Sequence, residues 1–197
     1  MTKDRVVSPT RQEKLNQWGE GLWVDEPNEF ELKYKDYICF GRRVCIWEGW
    51  KNDHLFGGHW CGYIIIPPDH PWHGKEAFSE KNPYSDLDIH GGITHSGFDH
   101  IRPGFSIGFD CGHLGDLTPS MIEIYQKIDK DMPKKFQEAR EILRNKSQGW
   151  FLNHVYRDIE YVKQECRNLV DQAIEASKKL TNGSAFRSLA EQHLLYR

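Results

Sequence analysis

The sequence predicts an α+β domain: a mostly antiparallel β-sheet over residues 29–110, helices packed on one face of it, and a long C-terminal helix over residues 155–180. Three observations lead there. Short β-prone segments with hairpin-length links crowd the first half of the chain. Helical periodicity is strongest after Pro119. The alternating strand and helix units of a doubly wound parallel sheet are missing from the first half.

The elements follow in order. Ser8-Pro9 reads as an N-cap with proline at the first helical position, opening a short helix that ends near Trp18, before Gly19 and Gly21. Phe30, Leu32 and Tyr34 alternate with Glu31, Lys33 and Lys35, the period of a half-buried strand. Tyr37–Phe40 and Val44–Trp47 flank Gly41-Arg42-Arg43 and predict two strand segments separated by a turn or bulge. Trp60–Ile66 is a β-prone run stopped by Pro67-Pro68, and Leu87–Ile89 and Phe105–Phe109 supply two further short strands. Beyond Pro119, residues 121–125 and 134–144 read as short helices. Ile159, Val162, Cys166, Leu169, Val170, Ala173 and Ile174 then recur at steps of three and four, the stripe of an amphipathic helix. Thr181-Asn182-Gly183 predicts its end, and Ser184 a cap for a last helix. The expected organisation is one domain over residues 1–183 and a helical tail over 184–197 that packs on its own domain or serves a homo-oligomer.

Composition narrows the function classes. The chain has 197 residues, a formal charge of −3, 38% hydrophobic residues and 13% aromatics. Large rings bury much area per residue, so the aromatics supply a core that the polar average would not. The slight negative charge argues against a long nucleic acid, which takes a basic stripe. The longest apolar run, Tyr63–Ile66, is far too short for a bilayer, and the N-terminus has no apolar signal segment. Five cysteines without a C-x-x-C pair fit reduced thiols in a cytoplasm rather than a disulfide framework.

Chemistry concentrates in the middle. Eight of ten histidines lie between His54 and His113, and twelve of seventeen glycines between Gly49 and Gly115. Three constellations stand out. In Asp88-Ile-His90-Gly91-Gly92-Ile-Thr94, a strand would put Asp88 and His90 on one face, and the glycines would turn amides toward an anion. The plainer reading is a glycine bulge beside a core histidine. In Asp110-Cys111-Gly112-His113-Leu-Gly-Asp116, two carboxylates and an imidazole follow a strand end, suited to a general base, a metal ligand or a ribose reader. The plainer reading is a capped loop. In Pro67-Pro-Asp-His70-Pro-Trp72-His73-Gly-Lys75, prolines stiffen a loop that would present His70, His73 and Lys75 as cations to phosphate and Trp72 as a stacking face; its plainer reading is a rigid surface loop. Cys111 reads as a buried thiol before it reads as a nucleophile. Trp47, Trp50 and Trp60 read mostly as core, with one of them allowed to line a pocket; Arg157 and Glu160, near the start of the long helix, could reach the sheet end, and their plainer reading is an exposed ion pair.

Three strings taken together carry a resemblance: Gly62-Tyr-Ile-Ile-Ile-Pro-Pro-Asp-His70-Pro71-x-x-Gly74-Lys75, Asp88-x-His90-Gly91-Gly92-Ile93-Thr94, and Gly108-Phe109-Asp110-Cys111-x-His113-x-Gly115-Asp116. Their order and spacing, followed by Tyr161-Val162 and Glu165, resemble a family of bacteriophage and prophage proteins defined by sequence, over roughly residues 60–173. The resemblance implies a phage setting and a host cytoplasm, not a mechanism. Here His95 stands where that pattern has an aromatic, and Gly112 where it has alanine.

The leading functional expectation is binding of a small anionic, nucleotide-like molecule by His70, Lys75, Asp88, His90, Gly91, Gly92, Thr94, Asp110, His113 and Asp116. In the phage setting this would sequester a host immune signal. It supposes that the Gly91-Gly92 and Gly112 turns share one hollow. Two alternatives stand beside it. One is a hydrolase of the same molecules, with His90, His113 and Asp110 as catalytic candidates; the other is a protein-interaction inhibitor of a host enzyme that uses the C-terminal helices. No cofactor is assigned, because neither H-E-x-x-H nor H-x-H-x-D-H occurs. A divalent metal at His90, Asp110, His113 and Asp116 is the exception kept open.

Overall fold

The computed structural model describes residues 9–44, 57–80, 82–98, 102–120 and 155–194, with side chains as far as residue 179. The fold is α+β. Its elements are α1 (Arg11–Trp18), a 3₁₀ turn (Leu22–Val24), β1 (Glu29–Tyr34), β2 (Tyr37–Arg43), β3 (Trp60–Ile66), β4 (His95–Phe98), β5 (Phe105–Asp110) and α2 (Ile159–Leu194). The five strands form one sheet in the order β1-β2-β3-β5-β4. Beyond the ends of β2 and β3, Val44 donates to the His59 carbonyl and receives the Gly58 N–H on its own, an antiparallel exchange. β4 and β5 pair antiparallel, from His95 opposite Gly108 to Phe98 opposite Phe105.

Several boundaries differ from those the sequence suggests. The cap of α1 is Thr10, not Ser8: its hydroxyl accepts the Glu13 N–H, and the Glu13 carboxylate accepts the Thr10 N–H in return. That reciprocal pair satisfies two amides that have no partner within the helix, which a lone serine cap would not do. β2 runs unbroken through Gly41, because the glycine seats the Phe30 ring; an added Cβ would meet that ring at 2.2 Å. Leu87–Ile89 is not a strand. The Asp88 carbonyl accepts the side-chain amides of Asn168 and Gln172, and the Asp88 N–H donates to Gln172, so helix side chains take the place of a ladder. β4, by contrast, arises from residues without an alternating pattern. Helix α2 continues through Gly183 to Leu194 rather than stopping and restarting at Ser184. A mid-helix glycine costs only about 1 kcal/mol, too little to break a helix flanked by Leu180, Ala185 and Phe186. The helices expected at 121–125 and 134–144, and Trp47 and Trp50, lie outside the described residues.

Contacts divide the chain into two units. The first comprises Met1–Phe30, Gly41–Cys61 and Asp110–Val162; the second comprises Glu31–Phe40, Gly62–Phe109 and Lys163–Arg197. In the first, Trp18, Trp23 and Val24 pack with Leu15 and Tyr156. A polar hub lies in the same unit. The Glu26 carboxylate accepts from Arg43, the Trp60 indole, the Tyr156 hydroxyl and the Ile159 N–H, and the Arg43 guanidinium lies 4.7 Å from the Trp60 ring. Glu26 and Tyr156, both in this unit, thus bond the buried Arg43 guanidinium, which is what makes a buried ion pair tolerable.

In the second unit Cys166, Leu169, Val170 and Ala173 of α2 are buried, as are Phe40, Ile64, Ile66, Ile107 and Phe109 of the strands. Each large apolar side chain so buried contributes roughly 1.5–3 kcal/mol. Tyr34 and Lys35, at the β1–β2 turn, both reach Asp171 of α2. Among the described residues, no helix is long and apolar enough to cross a membrane.

Candidate functional site

The loop that follows β5 is built by its own carboxylates. Cys111 extends β5 by one residue, donating its N–H to the Trp60 carbonyl at 2.9 Å. The chain then turns. Asp110 Oδ1 accepts the Gly112 N–H at 2.9 Å, a short side-chain-to-backbone closure typical of aspartate. Asp116 Oδ2 accepts the His113 N–H at 3.1 Å, and the Asp116 N–H donates to the His113 carbonyl at 2.9 Å. Gly115 supplies the left-handed step, at φ 101°. A parallel bridge to Val155 ties down the far end of the loop.

This architecture gathers three of the sequence-nominated residues. His113 Nδ1 stands 3.7 Å from Asp110 Oδ1 and 3.7 Å from Asp116 Oδ2. The side chains of His113 and Asp110 are about one-third exposed, whereas that of Asp116 is 2% exposed. Arg157 donates from Nε to Asp116 Oδ1 at 3.0 Å, and its guanidinium lies 4.6 Å from the Tyr161 ring. Arg157 is thus bound to a residue 41 positions away, just past the end of β5, the reach to the sheet end that the sequence offered beside an exposed pair with Glu160. His113 and Asp116 belong to a histidine–carboxylate donor set of a kind that could hold a metal ion.

His59 was also missed. Its ring faces the same loop: a Cβ added to Gly112 would lie 3.2 Å from His59 Cε1 and Nε2, and 3.2 Å from Asp110 Oδ1. Glycine at 112 is what lets the imidazole and the loop backbone come this close. His59 Nδ1 is buried and, among the described residues, has no hydrogen-bond partner. Burial holds the His59 pKa below its ordinary value near 6.5, against the opposing pull of Asp110 and Asp116. The signal that could have found it was its place immediately before β3, at the start of the strand from which Trp60 pairs with Cys111.

The remaining candidates, His70, Lys75, Asp88, His90, Gly91, Gly92 and Thr94, belong to the other unit. Gly91 and Gly92 adopt φ of 63° and 82°, as a glycine turn requires. Several amides around this turn are engaged within the protein, however. His90 N–H donates to the Glu165 carboxylate at 2.9 Å, Gly92 N–H to the Ile89 carbonyl at 3.1 Å, and Thr94 N–H to the Gly108 carbonyl at 2.9 Å. A carboxylate therefore occupies the position at His90 where a phosphate would have gone.

The proline loop is structural at its centre. His70 is buried; its Nδ1 accepts the Trp72 N–H at 3.0 Å and its Nε2 lies 2.9 Å from the Ala173 carbonyl. That pattern requires the neutral imidazole with hydrogen on Nε2, so His70 is not the cation the sequence suggested. Burial correspondingly lowers its pKa. Trp72 is also buried, against Tyr84, and offers no open stacking face. Lys75 is exposed. Cys111 is buried, and burial pushes its thiol far up, the environment of a structural cysteine. No protein-family model, curated protein or solved structure matches this chain.

Proposed function

We propose that the Asp110–Asp116 loop is a hydrolytic centre acting on small phosphate-bearing, nucleotide-like molecules. The observation that carries this reading is the placement of His113 Nδ1 at 3.7 Å from both Asp110 Oδ1 and Asp116 Oδ2. An imidazole flanked by carboxylates is a proton acceptor whose charged form is stabilised as it develops. Water attacks phosphorus and gives one proton to His113. The phosphorus–oxygen ester bond breaks, and the proton passes from His113 to the leaving oxygen. Arg157, held on Asp116 and partly exposed, offers a guanidinium to the phosphate.

Hydrolysis ranks above simple binding because amides around both glycine turns are taken up within the protein, those of His90 by Glu165, Gly92 by Ile89, Gly112 by Asp110 and His113 by Asp116. Binding without turnover, including sequestration of a signalling nucleotide in a phage setting, is the second reading. It is favoured by the open space at Gly92, where an added Cβ would meet nothing within 4 Å.

The test is incubation of the purified chain with linear, cyclic and dinucleotide phosphates, followed by chromatography. Cleavage that falls about 10²–10⁴-fold in His113→Ala, the range for a lost general base, supports the hydrolase. Tight binding with the ligand recovered intact supports the second reading and removes the first. His90→Ala belongs in the same series: lost turnover makes His90 part of the chemistry, and unchanged turnover leaves it a turn residue held by Glu165.

A further inference from the structure

We propose that the Asp110–Asp116 loop and Arg157 select phosphodiesters, which carry one negative charge per phosphate, over dianionic phosphomonoesters. The inference rests on the reading of this loop as the reactive centre and names the class of phosphate it takes. Asp110, His113, Asp116, Arg157 and Tyr161 all belong to the first unit of the chain.

The guanidinium is the first argument. Arg157 donates from Nε to Asp116 Oδ1 at 3.0 Å, while Asp116 Oδ2 accepts the His113 N–H. Asp116 therefore holds the guanidinium at one point instead of clasping it with both oxygens. The Tyr161 ring, 4.6 Å away, supports its face and fixes its plane. Arg157 is partly exposed and makes no other hydrogen bond among the described residues. Its two Nη groups are thus a prepared edge for two oxygens of one phosphate. A diester carries two non-bridging oxygens, the number this edge can take.

Charge is the second argument. Asp116 takes up the unit charge of Arg157, and Asp110 adds a further carboxylate, about one-third exposed, whose Oδ1 is 3.7 Å from His113 Nδ1. With His113 neutral, these groups sum to −1: two carboxylates against one guanidinium. His59, whose ring abuts Gly112, adds no charge near neutral pH because burial lowers its pKa. The buried Arg43 is matched by Glu26. A phosphate seated on Arg157 therefore meets one cation and one unbalanced anion among the described residues. The second charge of a monoester, present above its pKa of about 6, finds no cation of its own and is repelled by Asp110.

The experiment is calorimetric titration of adenosine 3′,5′-cyclic monophosphate and of adenosine 5′-monophosphate into the full chain at pH 8, with chromatography of each mixture afterwards. The two share base and sugar and differ in phosphate charge. Asp110→Asn and Arg157→Gln run beside wild type, and circular dichroism establishes that each is folded. The expected result is that the cyclic diester binds roughly tenfold or more tightly than the monoester. Asp110→Asn narrows that ratio by strengthening monoester binding, and Arg157→Gln weakens both compounds. A monoester bound as tightly as the diester, or a ratio unchanged in folded Asp110→Asn, overturns the selectivity even if the diester is cleaved. Failure of the hydrolase reading looks different: the diester is bound preferentially and recovered intact. Binding of neither compound overturns both.

Discussion

His70 Nε2 lies 2.9 Å from the backbone carbonyl of Ala173, joining the proline loop to the middle of α2 across 103 residues of sequence. Only the neutral ring can donate there while accepting the Trp72 N–H at Nδ1. Burial places the folded-state pKa below the ordinary value near 6.5. The unfolded chain therefore binds the proton more readily, and stability falls as pH drops below about 6.5 until the folded-state pKa is passed. Thermal melts from pH 8 to pH 5 are expected to show wild type losing its advantage over His70→Gln as the solution is acidified. A constant or widening gap would mean the ring is protonated in the fold.

The Glu26–Arg43 pair gives a second expectation. Arg43 is fully buried at its side chain and Glu26 12% exposed, with Tyr156 and Trp60 sharing the same carboxylate. Removing one partner strands the other charge in a poor solvent for it. Arg43→Ala is expected to cost about 3–5 kcal/mol in urea unfolding. A loss below 1 kcal/mol would show that water reaches Glu26.

Cys39, Cys61, Cys111 and Cys166 are all buried, and burial pushes the Cys39 thiol up to about 12. These four are expected to resist iodoacetamide at pH 8 in the native chain and to react after denaturation, as read by peptide mass mapping. Rapid native labelling of Cys111 would restore it as a nucleophile candidate.

These contacts also show why some features were legible in the sequence and others were not. β1, β3 and β5 announce themselves through alternation or β-branched runs, and the buried stripe of α2 through its 3.6-residue period. His95-Ser-Gly-Phe98 has no such pattern and becomes a strand only because β5 offers it an edge. The Asp110, His113 and Asp116 grouping was legible because a short glycine-bearing loop must bring its own ends together. The carboxylate that Arg157 reaches and the place of His59 were not, since each meets the loop through chain-distant packing. A histidine in a proline-rich loop gives no local sign of whether it faces water or α2, so His70 was misjudged.

Gly112 tests the approach of His59 to the loop. A methyl group there would press on both the His59 ring and Asp110 Oδ1 at 3.2 Å. Gly112→Ala is expected to cost about 1–3 kcal/mol, the range for overpacking, and to reduce activity along with stability. A fully stable variant with wild-type activity would show that the ring yields freely and that its proximity is incidental.

The most direct measurement of the proposed centre is a ³¹P NMR time course of nucleoside phosphates, cyclic nucleotides and dinucleotides with the purified chain, run beside folded His113→Ala. The expected result is a new phosphate resonance with wild type and a rate at least about 100-fold lower in the variant. Substrates that all remain intact with wild type, or a variant that cleaves at the wild-type rate, would contradict a hydrolytic role for the Asp110–Asp116 loop.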